Sequence, residues 1–229
     1  MAECFLRLTE FLNLSPIRKL KSMLGIYVTV PIACWRRGYA REYLETELIP
    51  PPSTCYGFLL SLVGETDRNR HIGCRVTAGR IGEPDLSVVL RTVWRVKKTP
   101  LGSAGNTRPD YQQLLSGAKL IIWMDSGLEA NQSAPSLEHR VRTALSNPAG
   151  VSRFGGLSLG ESTHLVDEVC LLEKVHNSLT NTDHLKLFLL AEKGRLTLPV
   201  WVDHVGSAGT RYATGNLTSA PLDAPRPER

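Results

Sequence analysis

The chain has 229 residues, 42% of them hydrophobic, which allows a packed core and excludes global disorder. Lys and Arg number 27 against 22 Asp and Glu, a net charge of +5 that permits a polyanionic partner without requiring one. Apolar runs such as Leu120–Met124 are far too short to span a bilayer, MAECFLRLTE does not read as a signal peptide, and the five cysteines form no C-x-x-C pair, so a cytoplasmic protein with reduced thiols, no metal site and no cofactor is expected.

Residues 1–24 read as a helical extension, with Phe5, Leu8, Phe11 and Leu12 at helical spacing. GIYVTVPIACWR, 25–36, is rich in β-branched and aromatic residues and reads as a strand. Pro50-Pro51-Pro52 stops it, Ser53 is placed as the cap of a helix through Leu59, Leu60 and Val63, and Gly64 ends that helix. Residues 68–108 then concentrate the charge: nine basic residues face only Glu83 and Asp85. In LSVVLRTVWRVKK, 86–98, Leu86, Val88, Leu90, Trp94 and Val96 share one parity and Arg91, Arg95 and Lys97 the other. Period two assigns the apolar set to the core and the cationic set to an open face. A plain solvated face is the alternative for that strand.

KTPLGSAGNTRPDY, 98–111, is a Gly/Pro-rich loop, and GAKLIIWMD, 117–125, a buried strand. SLEHRVRTAL, 136–145, is an amphipathic helix ended by Asn147-Pro148. RFGGLSLGES, 153–162, follows directly, then strands in HLVDEVCLLEKV, DHLKLFLLAE and RLTLPVWVD, and a frayed Pro-rich tail. The order approaches the β-α-β-β-α-β arrangement of ferredoxin-like α+β folds.

Gly156-Leu157-Ser158-Leu159-Gly160 spells G-x-S-x-G, the elbow of some serine hydrolases. That elbow needs a strand before it and a helix after it. Here a helix precedes and extended chain follows, and Ser158, His164 and Asp167 run in the wrong order. No Gly-Lys-Ser/Thr closes the stretch, so a P-loop is excluded. Gly155, Gly156 and Gly160 instead let a ligand approach the backbone, Ser158, Ser162 and Thr163 offer hydroxyls, and Arg153 adds charge, a set suited to a sugar-phosphate chain. A tight loop that needs glycine only for positive φ stays open as the alternative. Trp35-Arg36-Arg37 and Trp94-Arg95 put aromatics beside arginines, which suits stacking on unpaired bases, with plain packing as the commoner alternative for a single such pair.

PPPSTCYGFLLSLVGE, 50–65, together with RVKKTPLGSAGNTRPDYQQLL, LIIWMDS and RFGGLSLGESTHLVDEV, resembles the fifth CRISPR-associated (Cas) family, in its I-B, Myxococcus-type branch. The resemblance covers about residues 25–205 and implies a palm over that span, interrupted by a thumb insertion at about 75–112, with a C-terminal segment over 206–229. It implies a ferredoxin-like, RRM-like palm with an inserted thumb hairpin and a glycine-rich loop at the RNA. It also implies a non-catalytic subunit of a type I Cascade effector, which holds the 5′ handle of the guide RNA (crRNA). Its partners would be the backbone (Cas-seven-type) subunit, the large (Cas-eight-type) subunit and, indirectly, PAM-proximal target DNA. On this basis the expected RNA contacts are Arg91, Arg95, Lys97 and Lys98, then Arg36, Arg37, Arg108 and Arg153, with Gly155, Gly156, Ser158, Gly160 and Ser162 in the loop. The rival is a metal-independent endoribonuclease that processes precursor crRNA with His71 or His164 as general base.

Overall fold

The computed structural model describes residues 23–38, 40, 42–94, 100–131, 133–179 and 185–222. The helical extension expected before residue 23, the cations Arg95, Lys97 and Lys98, and the tail from 223 lie outside them.

Strand β1 (Leu24–Ala33) alternates as its sequence predicts, with Ile26, Val28 and Val30 buried on one face and Tyr27 on the other. After the short β2 (Trp35–Arg36), β3 (Tyr43–Leu44) and β4 (Thr46–Glu47), the proline run delivers helix α1 (Pro52–Leu62). Pro51 is the N-cap and Pro52 the first helical residue, where a fixed φ and a missing N–H do no harm. Ser53 therefore sits inside the first turn and does not cap the helix, and its buried hydroxyl has no partner among the described residues. Gly64, at φ +67°, turns the chain out of the helix, and a side chain there would collide with the carbonyl of Ser152.

β5 (Arg75–Ile81), β6 (Asp85–Trp94) and the 19-residue β7 (Thr107–Asp125) follow. Helix α2 (Leu137–Ser146) starts at Ser136, whose side chain accepts from the His139 amide. Then come β8 (Glu168–Leu171), the single turn α3 (Leu172–Val175), β9 (Leu185–Leu190), β10 (Leu196–Trp201) and β11 (Arg211–Ala220). The strand expected from His164 onward is thus confined to four residues before α3.

One sheet runs β10-β11-β9-β5-β7-β1-β8, and β2 pairs β4 apart from it. The unit β1-α1-β5-β7-α2-β8 supplies its β5-β7-β1-β8 portion, with antiparallel neighbours throughout. Ile26, Val28, Leu120, Ile122 and Met124 pack with Leu59 of α1 and Leu137 and Val141 of α2 in one cluster. Tyr27, Ile121 and Trp123 join Leu172, Leu185 and Leu187 in a second. The middle of β7 is buried on both faces, which explains why LIIWM reads as a continuous apolar run. β11 lies beyond residue 205, the expected end of the palm, and pairs with both β9 and β10.

The N-terminal half of β7 leaves the core and forms an antiparallel arm with β6, from Asp85↔Ser116 to Trp94↔Thr107. Here the parity assignment is corrected. Leu86, Val88, Leu90 and Trp94 are 54, 50, 64 and 61% exposed, so the apolar set faces outward and not into the core. Alternation fixes which side chains share a face, but the covered face is set by what packs on it. No layer lies over the apolar face of this arm among the described residues, whereas Arg91, on the opposite parity, leans on Gln112 of β7 and Glu161.

Candidate functional site

Residues 151–166 join α2 to β8 and are fastened at both ends. At the first, Ser152 abuts Gly64 at the end of α1, in the space a side chain would need. At the second, Leu159 is fully buried, its carbonyl accepts from Trp35 Nε1 at 3.2 Å, and its amide donates to the His164 carbonyl at 3.2 Å. The Val166 amide donates to Leu157 O at 2.9 Å, Ser158 bridges Leu165, and the Asp167 amide donates to Thr29 O of β1 at 3.0 Å. Gly160, at φ +117°, lies where a Cβ would come 3.0 Å from the Cys34 carbonyl and 3.3 Å from the Trp35 ring. Its glycine serves close packing against the β1–β2 corner.

Arg153, Phe154, Gly155 and Gly156 form the exposed tip between these anchors. Gly155 has φ +76° and open space where a Cβ would stand. The amides of Phe154, Gly155 and Gly156 have no protein acceptor among the described residues. The tip therefore offers free donors and room for a ligand backbone. Ser162 is exposed further along the loop. Ser158 is half-buried in its bridge, and no hydrogen bond joins it to His164 or Asp167 among the described residues. The hydrolase pattern has no triad behind it.

The arm and the loop are tied together. Arg91 Nη1 of β6 lies 3.1 Å from Glu161 Oε2 and also bonds Gln112 Oε1, while Gln112 Nε2 donates to Glu161 Oε1 at 3.0 Å. Gln112 is buried. Neither Gln112 nor Glu161 stood out in the sequence, because this clasp spans elements 49 and 70 residues apart. The only hint was a lone acid closing a basic, glycine-rich motif.

The expected cations divide by their partners. Arg108 pairs with Asp110 at 2.6 Å and Glu42 at 2.8 Å, and Arg37 lies 3.5 and 3.6 Å from Glu45 and Glu47. Arg36 and Arg153 are exposed and have no acidic partner among the described residues. Trp35, expected to stack on bases, is buried and spends its indole N–H on Leu159, so it is a core residue. Trp94 stays exposed on the arm.

The two histidines singled out for a nuclease are both enclosed. His71 Nδ1 is 2.8 Å from Glu129 Oε2, and its Nε2 is 3.0 Å from Arg140 Nη1. Arginine only donates, so Nε2 accepts and the ring proton faces Glu129. The other Glu129 oxygen accepts the Leu137 amide at 2.9 Å, and Arg140 pairs with Glu65. That hydrogen bond from Arg140 holds the Glu65 carboxyl down at about 2. His71 is thus a brace between the start of α2 and the chain after α1. His164 is buried with Nδ1 unpartnered among the described residues, and burial pushes its pKa down. The cysteines Cys34, Cys55, Cys74 and Cys170 are free thiols, and burial pushes Cys74 up to about 12.

No family model matches the chain. It is 52% identical over 209 residues to the CRISPR-associated protein Cas5 of Myxococcus xanthus (strain DK1622), covering 90% of this chain and 95% of that one. This chain belongs to the Cas5 family. Among solved structures it is similar to a chain of a CRISPR RNA-guided surveillance complex, with a TM-score of 0.57, 15% identity, and coverage of 89% of this chain and 91% of that one. A Cas protein crystal structure is similar at a TM-score of 0.46 and 16% identity, over 88% and 95% of the two chains. Among the described residues no helix is long and apolar enough to cross a membrane.

Proposed function

We propose that this chain is a non-catalytic, guide-RNA-binding subunit of a type I CRISPR effector, working in the cytoplasm. Its sheet portion β5-β7-β1-β8, with α1 and α2 on one face, supports a ferredoxin-like, RRM-like palm, and the β6–β7 arm its thumb. The observation that carries the reading is the 153–156 tip: an exposed arginine with no acidic partner among the described residues, beside glycines and amides that no described residue accepts, next to structure that is anchored in the core. Such a tip binds the 5′ handle by charge and backbone donors. Arg36 adds a phosphate contact, and Arg37, Arg91 and Arg108 join once RNA competes with their carboxylates. Arg95, Lys97 and Lys98, which follow β6 in the sequence, add further positive charge for the same RNA.

The outward apolar parity of the arm supports a second role. Leu86, Val88, Leu90 and Trp94 form a row on a free sheet face, which serves protein assembly better than phosphate binding. It is assigned to the backbone subunit, while the palm meets the large subunit and, through it, PAM-proximal DNA. The surveillance complex that shares this fold is consistent with such an assembly.

The enclosure of His71 and His164 argues against the ribonuclease reading. The deciding experiment incubates the purified chain with labelled repeat RNA in EDTA. Retention of intact RNA, weakened by salt, supports capture. Specific cleavage abolished by His71→Ala or His164→Ala overturns it.

A further inference from the structure

Phe154 is wholly exposed, at 102%, in the middle of the loop tip. An aromatic ring in that position contributes nothing to the core and is unfavourable in water. Its surroundings suit a flat, apolar ligand that carries negative charge. Arg153 precedes it without an acidic partner among the described residues, and Gly155 and Gly156 follow it, so no side chain crowds it from that side in the sequence. The segment 151–160 holds no acid, and Glu161 is already engaged by Arg91 and Gln112. The anchors at Ser152 and Leu159 hold both ends of the tip, which lowers the ordering cost of binding. Trp35, the aromatic next to Arg36, is buried and unavailable.

We propose that Phe154 is a base-stacking residue: its ring receives the face of one unpaired nucleobase while Arg153 takes an adjoining phosphate. This rests on the RNA-binding reading above and adds to it the recognition of a base by a specific side chain. Every base has a π-face, so the contact tolerates sequence but requires a base to be splayed from its neighbours.

The test uses the full chain and a labelled single-stranded RNA of the repeat from its own locus, together with copies carrying one abasic position each, read by fluorescence anisotropy over a salt series. Phe154 packs on nothing, so Phe154→Ala leaves the fold intact. It is expected to weaken binding about tenfold, with the slope of log K against log salt unchanged, because no charge is lost. Phe154→Tyr retains affinity and Phe154→Leu does not. One abasic position weakens the parent chain by the same factor and leaves Phe154→Ala unaffected. Arg153→Ala behaves differently and lowers the slope by about 0.7.

Parent-level affinity in Phe154→Ala, or an equal loss on every abasic copy, overturns the stacking role while the RNA-binding reading stands. Normal RNA binding with failure to join a protein subunit makes Phe154 a protein anchor and overturns it too. If the unsubstituted chain binds no RNA, the parent reading fails first and the stacking role with it.

Discussion

Arg91 on the arm and Glu161 in the glycine loop meet at 3.1 Å, with Gln112 bonded to both. The most prominent cation of β6 is therefore partly neutralised within the chain, and the loop's only acid holds the loop against the arm. Half-exposed pairs of this kind are worth at most about 1 kcal/mol, so a phosphate competes with Glu161 on nearly even terms.

Glu161→Gln should free Arg91 for phosphate while keeping an amide for Gln112. RNA affinity is expected to rise about two- to fivefold at low salt, with a steeper salt slope, as measured by anisotropy titration. Arg91→Ala should lower the slope less than Arg153→Ala, whose guanidinium has no carboxylate to leave.

His71→Ala removes one side of a buried brace and leaves the Glu129 carboxylate enclosed with one partner fewer. A loss of about 2 kcal/mol in urea unfolding is expected, in the range for removing a hydrogen bond to a buried charged group. RNA affinity of the folded fraction should not change. Loss of a general base would instead abolish specific RNA cleavage with little change in stability.

Glu65 sets an acid limit. Its folded pKa lies at about 2, below the value of about 4.3 in an unfolded chain. A depressed carboxyl contributes its stability above the unfolded value and loses it as pH falls through the folded one. Thermal unfolding should therefore show stability dropping between about pH 4.5 and 2. Glu65→Gln should be less stable at pH 7 and show a shallower fall.

Leu90 lies on the outward face of the arm. Leu90→Glu should leave the isolated chain's stability within about 0.5 kcal/mol, as for other exposed sites. It should abolish co-purification with the backbone subunit while RNA binding persists. Size-exclusion chromatography of the co-expressed subunits reads both effects.

The sequence carried those elements whose signals are local. β1, both long helices and the Gly64 stop follow from periodicity and end chemistry within a few residues. The glycine loop was legible as a turn for the same reason, with Gly155 at positive φ, while Gly160 proved to serve packing against Trp35. The arm's orientation was not legible, since Leu86 to Trp94 alternate identically whether the apolar set faces a core or solvent. β11 was missed because RYATGNLTSA is polar and mostly exposed, and its strand state is fixed by pairing with β9 and β10. The Arg91–Gln112–Glu161 clasp joins three distant segments and leaves no spacing to read.

The account turns on capture of RNA without turnover at the 153–156 tip. The most direct measurement is binding of labelled repeat RNA to the purified chain in EDTA across a salt series, comparing the parent chain with Arg36→Ala/Arg153→Ala. The account predicts intact RNA throughout, an affinity that falls linearly in log–log form with salt, and a slope reduced by about 1.4 in the double variant. An unchanged slope in that variant, or RNA cut at a defined position, would contradict it.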